Sequence, residues 1–278
     1  MSNKRKKKRK LSYSQHVVTY IDILGFRELV DKRSPNFISR AIRDVRDITV
    51  PDALAIKRDK ENYVNFSDLI VHTIPILSET KENKPRSIVS GELRYLALVQ
   101  AVLIDKGLLL RGAVTFGDME RSYGVLFGPG LISAYELERD HAQYPRIIVD
   151  KRLIASLRNN SLLRRYSYER EMRLLSNCIR LDDDGLVFID YLGFMRGALK
   201  SDLLSYHNLV ETHKKLIEKN LIKFEGNRRV LSKYLWLRKY HNAVIRAKLG
   251  RDKQSNYYIN MPEMSLEIRT LTPKPHQH

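Results

Sequence analysis

The sequence predicts an α+β protein, in which a mixed β-sheet with helices is followed by a mostly helical C-terminal extension. Three observations lead to this prediction. Runs rich in Val, Ile and Tyr alternate with stretches whose apolar residues have helical spacing. Two pairs of these runs are separated by short turns, as in β-hairpins. After Asp150, long helical patterns dominate the chain.

The N-terminal elements follow from their side-chain patterns. HVVTYIDILGF, residues 16–26, predicts a strand that a glycine and an aromatic residue end. NFISRAIRDVRDI, residues 36–48, has apolar residues at helical spacing and predicts a helix. NYVNFSDLIVHTIP, residues 62–75, predicts two strands that fold into a hairpin near Asn65–Asp68.

The next elements repeat this alternation. Residues 90–107 predict a helix that a glycine stops, and residues 108–119 and 122–128 predict a second hairpin. A Gly-Pro-Gly sequence begins a helix over residues 128–143, and YPRIIVD, residues 144–150, predicts a strand. The order β-α-β-β-α-β-β-α-β favours a ferredoxin-like, or palm-like, sheet with helices on one face.

The remainder of the chain is predicted to be mainly helical. Residues 157–175 have a helical pattern, GLVFIDYLGF at 185–194 predicts one more strand, and residues 202–249 predict two long helices. We divide the chain into a basic tail (1–14), an α+β domain (15–157) and a helical extension (158–278). This extension packs on the core or forms a dimer interface.

Composition and charge restrict the class of protein. The chain has 278 residues, 43% of them hydrophobic, and Cys178 is its one cysteine, which excludes a disulfide framework within the chain. Because it has no signal peptide and no long apolar run, we expect a soluble, cytoplasmic protein. Its net charge is +18, of which Lys4–Lys10 supplies seven positive charges. This tail either binds nucleic acid or an anionic surface or only solubilises the protein, whereas a basic body suits polyphosphate ligands.

Two acidic residues interrupt apolar runs. Asp22 lies between Ile21 and Ile23, and Asp68 lies between Ser67 and Leu69. A buried charge is costly unless a cation shares its site. Since the predicted order can place the two strands side by side, the two carboxylates could hold two Mg²⁺ or Mn²⁺ ions. Strand-end aspartates also serve as caps, turn residues or salt-bridge partners, so the spacing alone leaves both interpretations open.

The surrounding motifs resemble those of class III nucleotidyl cyclases. YIDILGF resembles the first metal motif of that family, and NFSDLIV resembles the second. LLLRGAVTFGDM and YGVLFGPGLISAYELE are similar to its succession of strand, hairpin, glycine turn and helix. The resemblance covers about residues 16–150, with the motifs in the same order, and it implies the class III cyclase fold.

The resemblance also implies a reaction and a site. Asp22 and Asp68 would carry two Mn²⁺ or Mg²⁺ ions, with the backbone carbonyl of Ile23. Gly25, Phe26 and the amides of residues 24–26 would line the triphosphate. The 3′-hydroxyl of a nucleoside triphosphate then attacks its own α-phosphate, and pyrophosphate leaves.

Two family positions that stabilise the transition state differ here. The usual Asn and Arg of the helix after the glycine turn are replaced by Ile132 and Glu136. Another cation must serve in their place if the protein is an enzyme, and the candidates are Arg111, Arg146 and Lys239. Arg111, within an apolar strand, either binds an anion or forms a salt bridge.

The purine-reading pair of adenylyl cyclases is also missing, because Val64 and Val125 occupy its positions, while Tyr63 and Tyr135 could stack on a base. This pattern resembles the pyrimidine cyclases of the Pycsar anti-phage systems. That resemblance implies a homodimer that makes cyclic UMP or cyclic CMP from UTP or CTP, and an effector that senses the product. The alternative is a catalytically degenerate cyclase fold that senses a nucleotide or binds nucleic acid.

Two further stretches have simpler interpretations. DDDG, residues 182–185, lacks the pattern of a calcium-binding loop and predicts a polar turn. KYLWLRKYHN, residues 233–242, predicts an amphipathic helix that packs on the core, or one that docks beside a partner's active site.

Overall fold

The structure is a computed structural model that describes residues 11–49, 63–76, 87–122, 125–249 and 256–260. Its strands are β1 (Ser14–Ile23), β2 (Tyr63–Phe66), β3 (Leu69–Pro75), β4 (Leu110–Ser122), β5 (Val125–Phe127), β6 (Ile147–Val149), β7 (Ile179–Leu181) and β8 (Val187–Ile189). Its helices are α1 (Phe26–Lys32), α2 (Pro35–Thr49), α3 (Ile88–Ile104), α4 (Pro129–His141), α5 (Lys151–Asn159), α6 (Tyr168–Leu175), α7 (Tyr191–Ala198), α8 (Leu203–Lys223) and α9 (Arg228–Lys248). The tail Lys4–Lys10 lies outside the described residues.

The sheet confirms the predicted mixed α+β architecture. Its order is β2-β3-β1-β4-β6-β8-β7, and β5 pairs with β4. The first four strands are antiparallel to their neighbours, with β1 between β3 and β4, which is the ferredoxin-like arrangement. β6 joins β4 in parallel, and β8 and β7 continue the sheet antiparallel to it.

Helices pack on both faces of the sheet, so the prediction that they cover one face is wrong. Val17 and Val18 are both buried, although successive side chains of a strand point to opposite faces. Val17 belongs to the large core that includes α3, whereas Val18 packs in a smaller cluster with Ala134 of α4. Helix α4 therefore packs on the opposite face of the sheet from α3. The small side chain of Ala134 on the inner face of α4 allows this contact.

The close approach of α4 to β4 depends on two glycines. A Cβ atom added at Gly117 of β4 would lie 2.6 Å from the Cα of Gly130 in α4. Real side chains do not tolerate such a distance, so the backbones could not meet there with any larger residue. This contact fixes the position of α4 above β1 and β4.

One hydrophobic core joins the N-terminal sheet to the C-terminal helices. It extends from Val17 of β1 to Ile259 and includes buried residues of α3, α7, α8 and α9. Cys178 lies fully buried within it, and burial raises the pKa of its thiol to about 12. The sheet itself continues beyond residue 157, since β7 and β8 follow that position. No helix in the described ranges has the length and apolar composition needed to cross a membrane.

Three element boundaries differ from the predictions. The first strand ends at Ile23 rather than Phe26, because Gly25 has a φ of +76° and turns the chain into α1. The helix predicted over 157–175 is interrupted, since the Asn160 side chain accepts from the Leu162 amide and Ser167 caps α6. The strand predicted over 185–194 is only three residues long, because Asp190 caps α7.

Candidate active site

The structure brings Asp22 and Asp68 to the same end of the sheet. The pairing of β1 with β3 ends at Ile21 and Ile70, so Asp22 and Ile23 extend beyond it. Asp68 lies in the turn between β2 and β3, at that same end. Burial, and then the negative charge of Asp22, raise the pKa of the Asp68 carboxyl. The two carboxylates therefore lie close enough for the charge of Asp22 to act on Asp68.

The turn that carries Asp68 has an unusual backbone. Ser67 has a φ of +58°, in the left-handed region that L-residues other than glycine seldom occupy. Its side chain hydrogen-bonds to the Asp68 carboxylate, which offsets part of the increase in the Asp68 pKa. The strained residue thus orients the carboxylate next to it.

Arg111 links Asp22 to helix α4. In the antiparallel register of β1 and β4, Arg111 lies directly opposite Asp22. Its Nε donates to Oδ1 of Asp22 at 2.9 Å and its Nη2 donates to Oδ2 at 2.8 Å, a bidentate ion pair. The same Nε lies 3.1 Å from Oε1 of Glu138 in α4. The hydrogen bond to Asp22 raises the pKa of Arg111, despite partial burial, so its charge is permanent.

Glu138 is a site residue that the sequence reasoning missed. Its side chain is only 5% exposed, and its Oε1 faces Arg111 without the alignment of a hydrogen bond. Burial raises the pKa of this carboxyl, the charge of Arg111 opposes the increase, and the charge of Asp22 adds to it. The sequence feature that could have identified Glu138 is its spacing from Gly130 and Ala134. The three residues follow one another at intervals of four, which places them on one face of α4, and that face is buried.

Aromatic side chains lie on one side of this ion-pair network. Tyr20 is two residues before Asp22 on the same face of β1, and its ring contacts the ring of Tyr135 at a centroid distance of 5.9 Å. Burial, and then the charges of Glu138 and Asp22, raise the pKa of Tyr20. Tyr135, which the sequence nominated for base stacking, therefore lies near the acids. Tyr63 begins β2 and is paired with His72, further along the sheet from Asp68.

The turn after β1 differs partly from the expectation. Gly25 is exposed and forms the N-cap of α1, and Phe26 packs against the large core. The Leu24 amide donates to the carbonyl of Leu109 at 2.8 Å. The expectation that this amide lines a triphosphate is therefore wrong, because the pairing of β1 with β4 already uses it.

The other candidate cations lie elsewhere. Arg146 is buried and forms ion pairs with Asp182 and Asp184, and Lys239 forms an ion pair with Asp183. The predicted polar turn at 182–185 thus binds cations of the protein itself. Of the three cations proposed from the sequence, Arg111 is the one that the structure places beside Asp22 and Asp68.

The two replaced family positions face solvent. The side chain of Ile132 is 59% exposed, and Glu136 is exposed on the next turn of α4. Neither side chain can reach Arg111 from the outer surface of the helix, whereas Glu138 lies on its inner surface. Within the described residues, α4 supplies a carboxylate, not a cation, to this site.

The chemistry of the donor atoms suits a hard divalent cation. The described residues contain no cluster of three or more His, Cys, Asp or Glu side chains that could hold a metal ion. Asp22, Asp68 and the carbonyl of Ile23 supply oxygens, which Mg²⁺ and Mn²⁺ prefer. An ion held by so few protein ligands would complete its coordination with water and with phosphate oxygens of a substrate.

Comparison with solved structures finds similar proteins among nucleotide cyclases. The guanylyl cyclase domain of the RhoGC fusion protein from the aquatic fungus Blastocladiella emersonii is 12% identical, with a TM-score of 0.40 over 65% of this chain and 98% of that chain. The adenylyl cyclase CyaB from P. aeruginosa is 14% identical, with a TM-score of 0.37 over 65% of this chain and 94% of that chain. A class III adenylyl cyclase-like ATP-binding protein from Pseudomonas aeruginosa is 12% identical, with a TM-score of 0.38 over 59% and 41% of the two chains.

Comparisons at the level of sequence give no match. No protein-family model matches the chain, and no curated protein matches it. The TM-scores of the three cyclase-like structures are all below 0.5, so any inference about function has to come from the residues of this chain.

Proposed function

We propose that the protein is a metal-dependent nucleotidyl cyclase, which converts a nucleoside triphosphate to a 3′,5′-cyclic nucleotide and pyrophosphate. The observation that carries the proposal is the meeting of Asp22 and Asp68 at one sheet end, where burial and Asp22 raise the pKa of Asp68. Two partly buried carboxylates that repel each other favour cation binding there. The motifs around both residues, in their cyclase-like order, support the same reaction.

The reaction needs little covalent chemistry from the protein. The 3′-oxygen bonds to the α-phosphorus, the bond from that phosphorus to the bridging oxygen breaks, and pyrophosphate takes the electron pair while the hydroxyl proton passes to solvent. Asp22, Asp68 and the Ile23 carbonyl would hold the metal ions, which lower the pKa of the hydroxyl and neutralise the leaving phosphates. The protein contributes mainly position and charge.

Arg111 is the cation proposed to act on the substrate. Its Nε and Nη2 atoms bind Asp22, and Nη1, which has no hydrogen-bond partner among the described residues, can donate to a phosphate oxygen. Asp22 and Glu138 hold the guanidinium from two sides, so little reorganisation is needed when a substrate arrives. Arg111 would thus replace the arginine that the family has at the position of Glu136.

For the substrate, we propose a pyrimidine triphosphate, UTP or CTP. Val64 and Val125 occupy the positions of the adenine-reading pair and cannot hydrogen-bond a purine edge. Tyr135 lies beside Tyr20 near the acids, where it could stack on a base. A cyclic pyrimidine nucleotide would then act as an anti-phage alarm signal that a separate effector senses.

We also propose that the enzyme works as a homodimer. Large apolar side chains are exposed on β2, β5 and α4: Phe66, Val125, Phe127, Ile132 and Tyr135. Of these elements, α4 also carries Glu138 of the site. Exposed apolar residues of this size are typical of protein interfaces. A second copy that covers α4 would shield the site from water.

The test is incubation of the protein with ATP, GTP, CTP or UTP and Mn²⁺, followed by mass spectrometry for cyclic products. Asp22→Ala and Asp68→Asn variants serve as controls. A cyclic pyrimidine nucleotide that both variants fail to make would support the proposal. Full activity in either variant would contradict the two-metal site.

A second candidate is a cyclase fold without activity that senses a nucleotide. The exposed Ile132 and Glu136 favour it, because α4 lacks the usual transition-state residues. This candidate predicts tight nucleotide binding without turnover, even when phage extract is added. A nucleic-acid version predicts binding that weakens steeply with salt, and loss of that binding on deletion of residues 1–10 would assign it to the tail.

A further inference from the structure

The chain between β6 and β7 carries a dense group of arginines. Residues 150–173, which contain α5, a short 3₁₀ turn and α6, include seven lysine or arginine side chains and three acidic ones. One pair is satisfied locally, since Arg152 binds Asp150 at the start of α5. The tail Lys4–Lys10 supplies seven of the net charge of +18, so the rest of the chain is itself basic. A surface with this much positive charge attracts anionic partners.

Direct contacts bring three of these arginines to one tyrosine. The guanidinium carbon of Arg170 lies 3.9 Å from the centroid of the Tyr166 ring, and that of Arg165 lies 5.7 Å from it. Arg164 links this tyrosine to α5, because its Nε donates to the Leu157 carbonyl at 3.0 Å and its Nη1 donates to the Tyr166 carbonyl at 3.2 Å. These contacts hold the end of α5 and the start of α6 together.

Two more arginines extend the group along both helices. The guanidinium carbon of Arg158 in α5 lies 5.5 Å from the centroid of the Tyr168 ring, at the start of α6. Arg173 follows Arg170 by three positions, so the two are neighbours on the surface of α6. We call these five residues the arginine cluster: Arg158, Arg164, Arg165, Arg170 and Arg173. All except Arg164 are exposed.

A buried glutamate fixes the backbone that carries the cluster. Glu171 is 1% exposed, and its carboxylate accepts hydrogen bonds from the hydroxyls of Ser87 and Ser90 and from the amides of residues 165 and 166. Burial opposes ionisation, but these four donors outweigh it and lower the pKa of Glu171. Its negative charge is therefore satisfied inside the fold.

Glu169 is the exposed acid of the same segment. It lies in the first turn of α6, where backbone and Ser167 hydrogen bonds, and then the charges of Arg164 and Arg158, lower its pKa. With Glu169 and Glu171 both ionised, the five arginines retain an excess of three positive charges. The four exposed arginines of the cluster form no ion pair with a carboxylate in the described ranges.

The arginine cluster lies far from the candidate active site. Glu171 attaches α6 to Ser87 and Ser90 at the start of α3, whereas the chain after the end of α3 pairs with β1, since the Leu109 carbonyl accepts from the Leu24 amide. Helix α3 has 17 residues and is therefore about 25 Å long. The cluster thus suits a ligand other than a triphosphate held at Asp22.

We propose that the arginine cluster binds single-stranded nucleic acid. A guanidinium that lies over a tyrosine ring keeps its in-plane N–H groups for phosphate oxygens and its outer face for an unpaired base. The ring contact also restricts the side chain before a ligand arrives, so less freedom is lost on binding. A membrane surface fits less well, because the large apolar side chains exposed in the described ranges all lie outside residues 150–173.

The first test measures the affinity for a fluorescently labelled oligouridylate by anisotropy over a range of salt concentrations. Arg165→Gln/Arg170→Gln should weaken binding about tenfold and reduce the slope of log affinity against log salt by about 1.4, since each phosphate contact of a single strand contributes about 0.7. Arg228→Gln/Arg229→Gln is the matched control, because it removes the same charge from two exposed arginines at the start of α9. Equal affinities in the two double variants would overturn the proposal.

The basic tail could bind the same oligonucleotide, so the comparison is repeated in proteins that lack residues 1–10. The difference between the two double variants should remain, because the arginine cluster does not include the tail. Loss of all binding on deletion of these residues would assign the interaction to the tail and overturn the proposal.

Arg170→Lys separates stacking from charge. A lysine keeps the positive charge but has no planar group for a base, so the affinity for oligouridylate should fall about threefold while binding of heparin is unchanged. Equal losses for both ligands would contradict the stacking of a base. Tighter binding to vesicles of phosphatidylcholine and phosphatidylserine than to oligouridylate, lost in Arg165→Gln/Arg170→Gln, would overturn the proposal in favour of an anionic membrane.

Stability and turnover complete the test. Arg165 and Arg170 are exposed, so their Gln variant should unfold at the temperature of the unaltered protein and keep any cyclase activity. If that variant unfolds early, Arg165→Lys/Arg170→Lys decides: tighter oligouridylate binding than in the Gln variant would support the proposal, and equal loss would overturn it. Since binding is measured without nucleoside triphosphate, a protein that makes no cyclic nucleotide can still confirm this surface.

Discussion

Asp22 and Asp68 are neighbours whose environments differ. Asp22 has a full ionic partner, since Arg111 binds both of its carboxylate oxygens. Asp68 has partial burial and the repulsion of Asp22, which raise its pKa, and Ser67 offsets only part of that increase. The ionised form of Asp22 is therefore stabilised by the fold. The ionised form of Asp68 lowers the stability of the fold, and a bound cation would remove this loss.

This difference predicts opposite effects of two amide substitutions on stability. The folded pKa of Asp68 is above its ordinary value, so the ionised group lowers stability at pH values above that pKa. Asp68→Asn should leave the free energy of unfolding unchanged or raise it, whereas Asp22→Asn should cost about 1–3 kcal/mol, because Arg111 loses its charged partner. Urea unfolding of the metal-free protein measures both values.

Activity should respond differently from stability in the same two variants. Both substitutions should lower cyclic nucleotide formation by about 100-fold or more, since each removes a charged metal ligand. An Asp68→Asn protein that is stable but inactive would assign the carboxylate to function. If Asp68→Asn unfolds at clearly lower urea than the unaltered protein, the electrostatic description of this residue is wrong.

At the scale of elements, the position of α4 sets the geometry of the site. Gly117 and Gly130 let its backbone meet β4, and the same helix places Glu138 against Arg111. Gly117→Ala should therefore displace α4, cost about 1–3 kcal/mol of unfolding free energy and reduce activity. Gly91→Ala in α3 is the control, because a Cβ there meets no atom within 4 Å, and it should stabilise the protein by about 0.5–1 kcal/mol. Denaturant unfolding compares the two, and equal stability in both variants would contradict the role of the contact.

The elements that the sequence predicts well are those with local signals. The hairpin of β2 and β3, the hairpin of β4 and β5, and the long helices α8 and α9 all follow from periodicity and turn residues. The errors lie where capping side chains decide the structure. Asn160 and Ser167 interrupt a continuous apolar pattern, and β7 is too short to be distinguished from a loop.

The site was predictable to the extent that its residues lie on paired strands. Asp22, Asp68 and Arg111 follow from the strand order and from charges in apolar runs. Glu138 does not, because its approach depends on where α4 packs, which local patterns do not encode.

At the scale of the whole molecule, the exposed apolar residues predict association. Ile132 is 59% exposed in the first turn of α4, on its outer surface. Ile132→Glu should shift the protein from dimer to monomer and lower activity, because a charge in the centre of an interface is costly to desolvate. Light scattering after size-exclusion chromatography measures the change. Ile222→Glu on α8 is the control, since Ile222 is similarly exposed but lies on another helix. If Ile132→Glu keeps the molar mass of the unaltered protein, this interface is wrong.

Two buried histidines in the C-terminal part of the core should make the protein less stable in mild acid. His213 and His241 are buried, their Nδ1 atoms lie 2.9 Å apart, and the outer nitrogens contact the Tyr191 hydroxyl and the Tyr257 carbonyl. This chain suits two neutral imidazoles, in which Nε2 of His241 donates to the Tyr257 carbonyl and Nδ1 of His213 donates to Nδ1 of His241, whereas a proton on both Nδ1 atoms would place two donors against each other. Burial lowers the pKa of His213 well below 6.5 and that of His241 to about 4.

The direction of the pH effect follows from these depressed pKa values. Below about pH 6.5 the unfolded chain binds protons that the folded chain excludes, so stability falls as the pH falls. Between pH 7 and pH 5.5 the loss should be about 2–3 kcal/mol for the two histidines together. Urea titrations across this range measure it, and His241→Gln, which keeps a donor for Tyr257, should reduce the slope by about half. An unchanged slope would exclude the pair as its source.

The buried thiol of Cys178 makes global unfolding directly observable by chemistry. It is the one sulfhydryl in the chain, it lies in the core shared by the sheet and the C-terminal helices, and its pKa of about 12 keeps it unreactive. A thiol-specific reagent should therefore label the chain only during excursions that open this core. The rate at which the reagent labels Cys178 would therefore report how often the core opens. Because each molecule has one thiol to label, the rates of different variants can be compared directly.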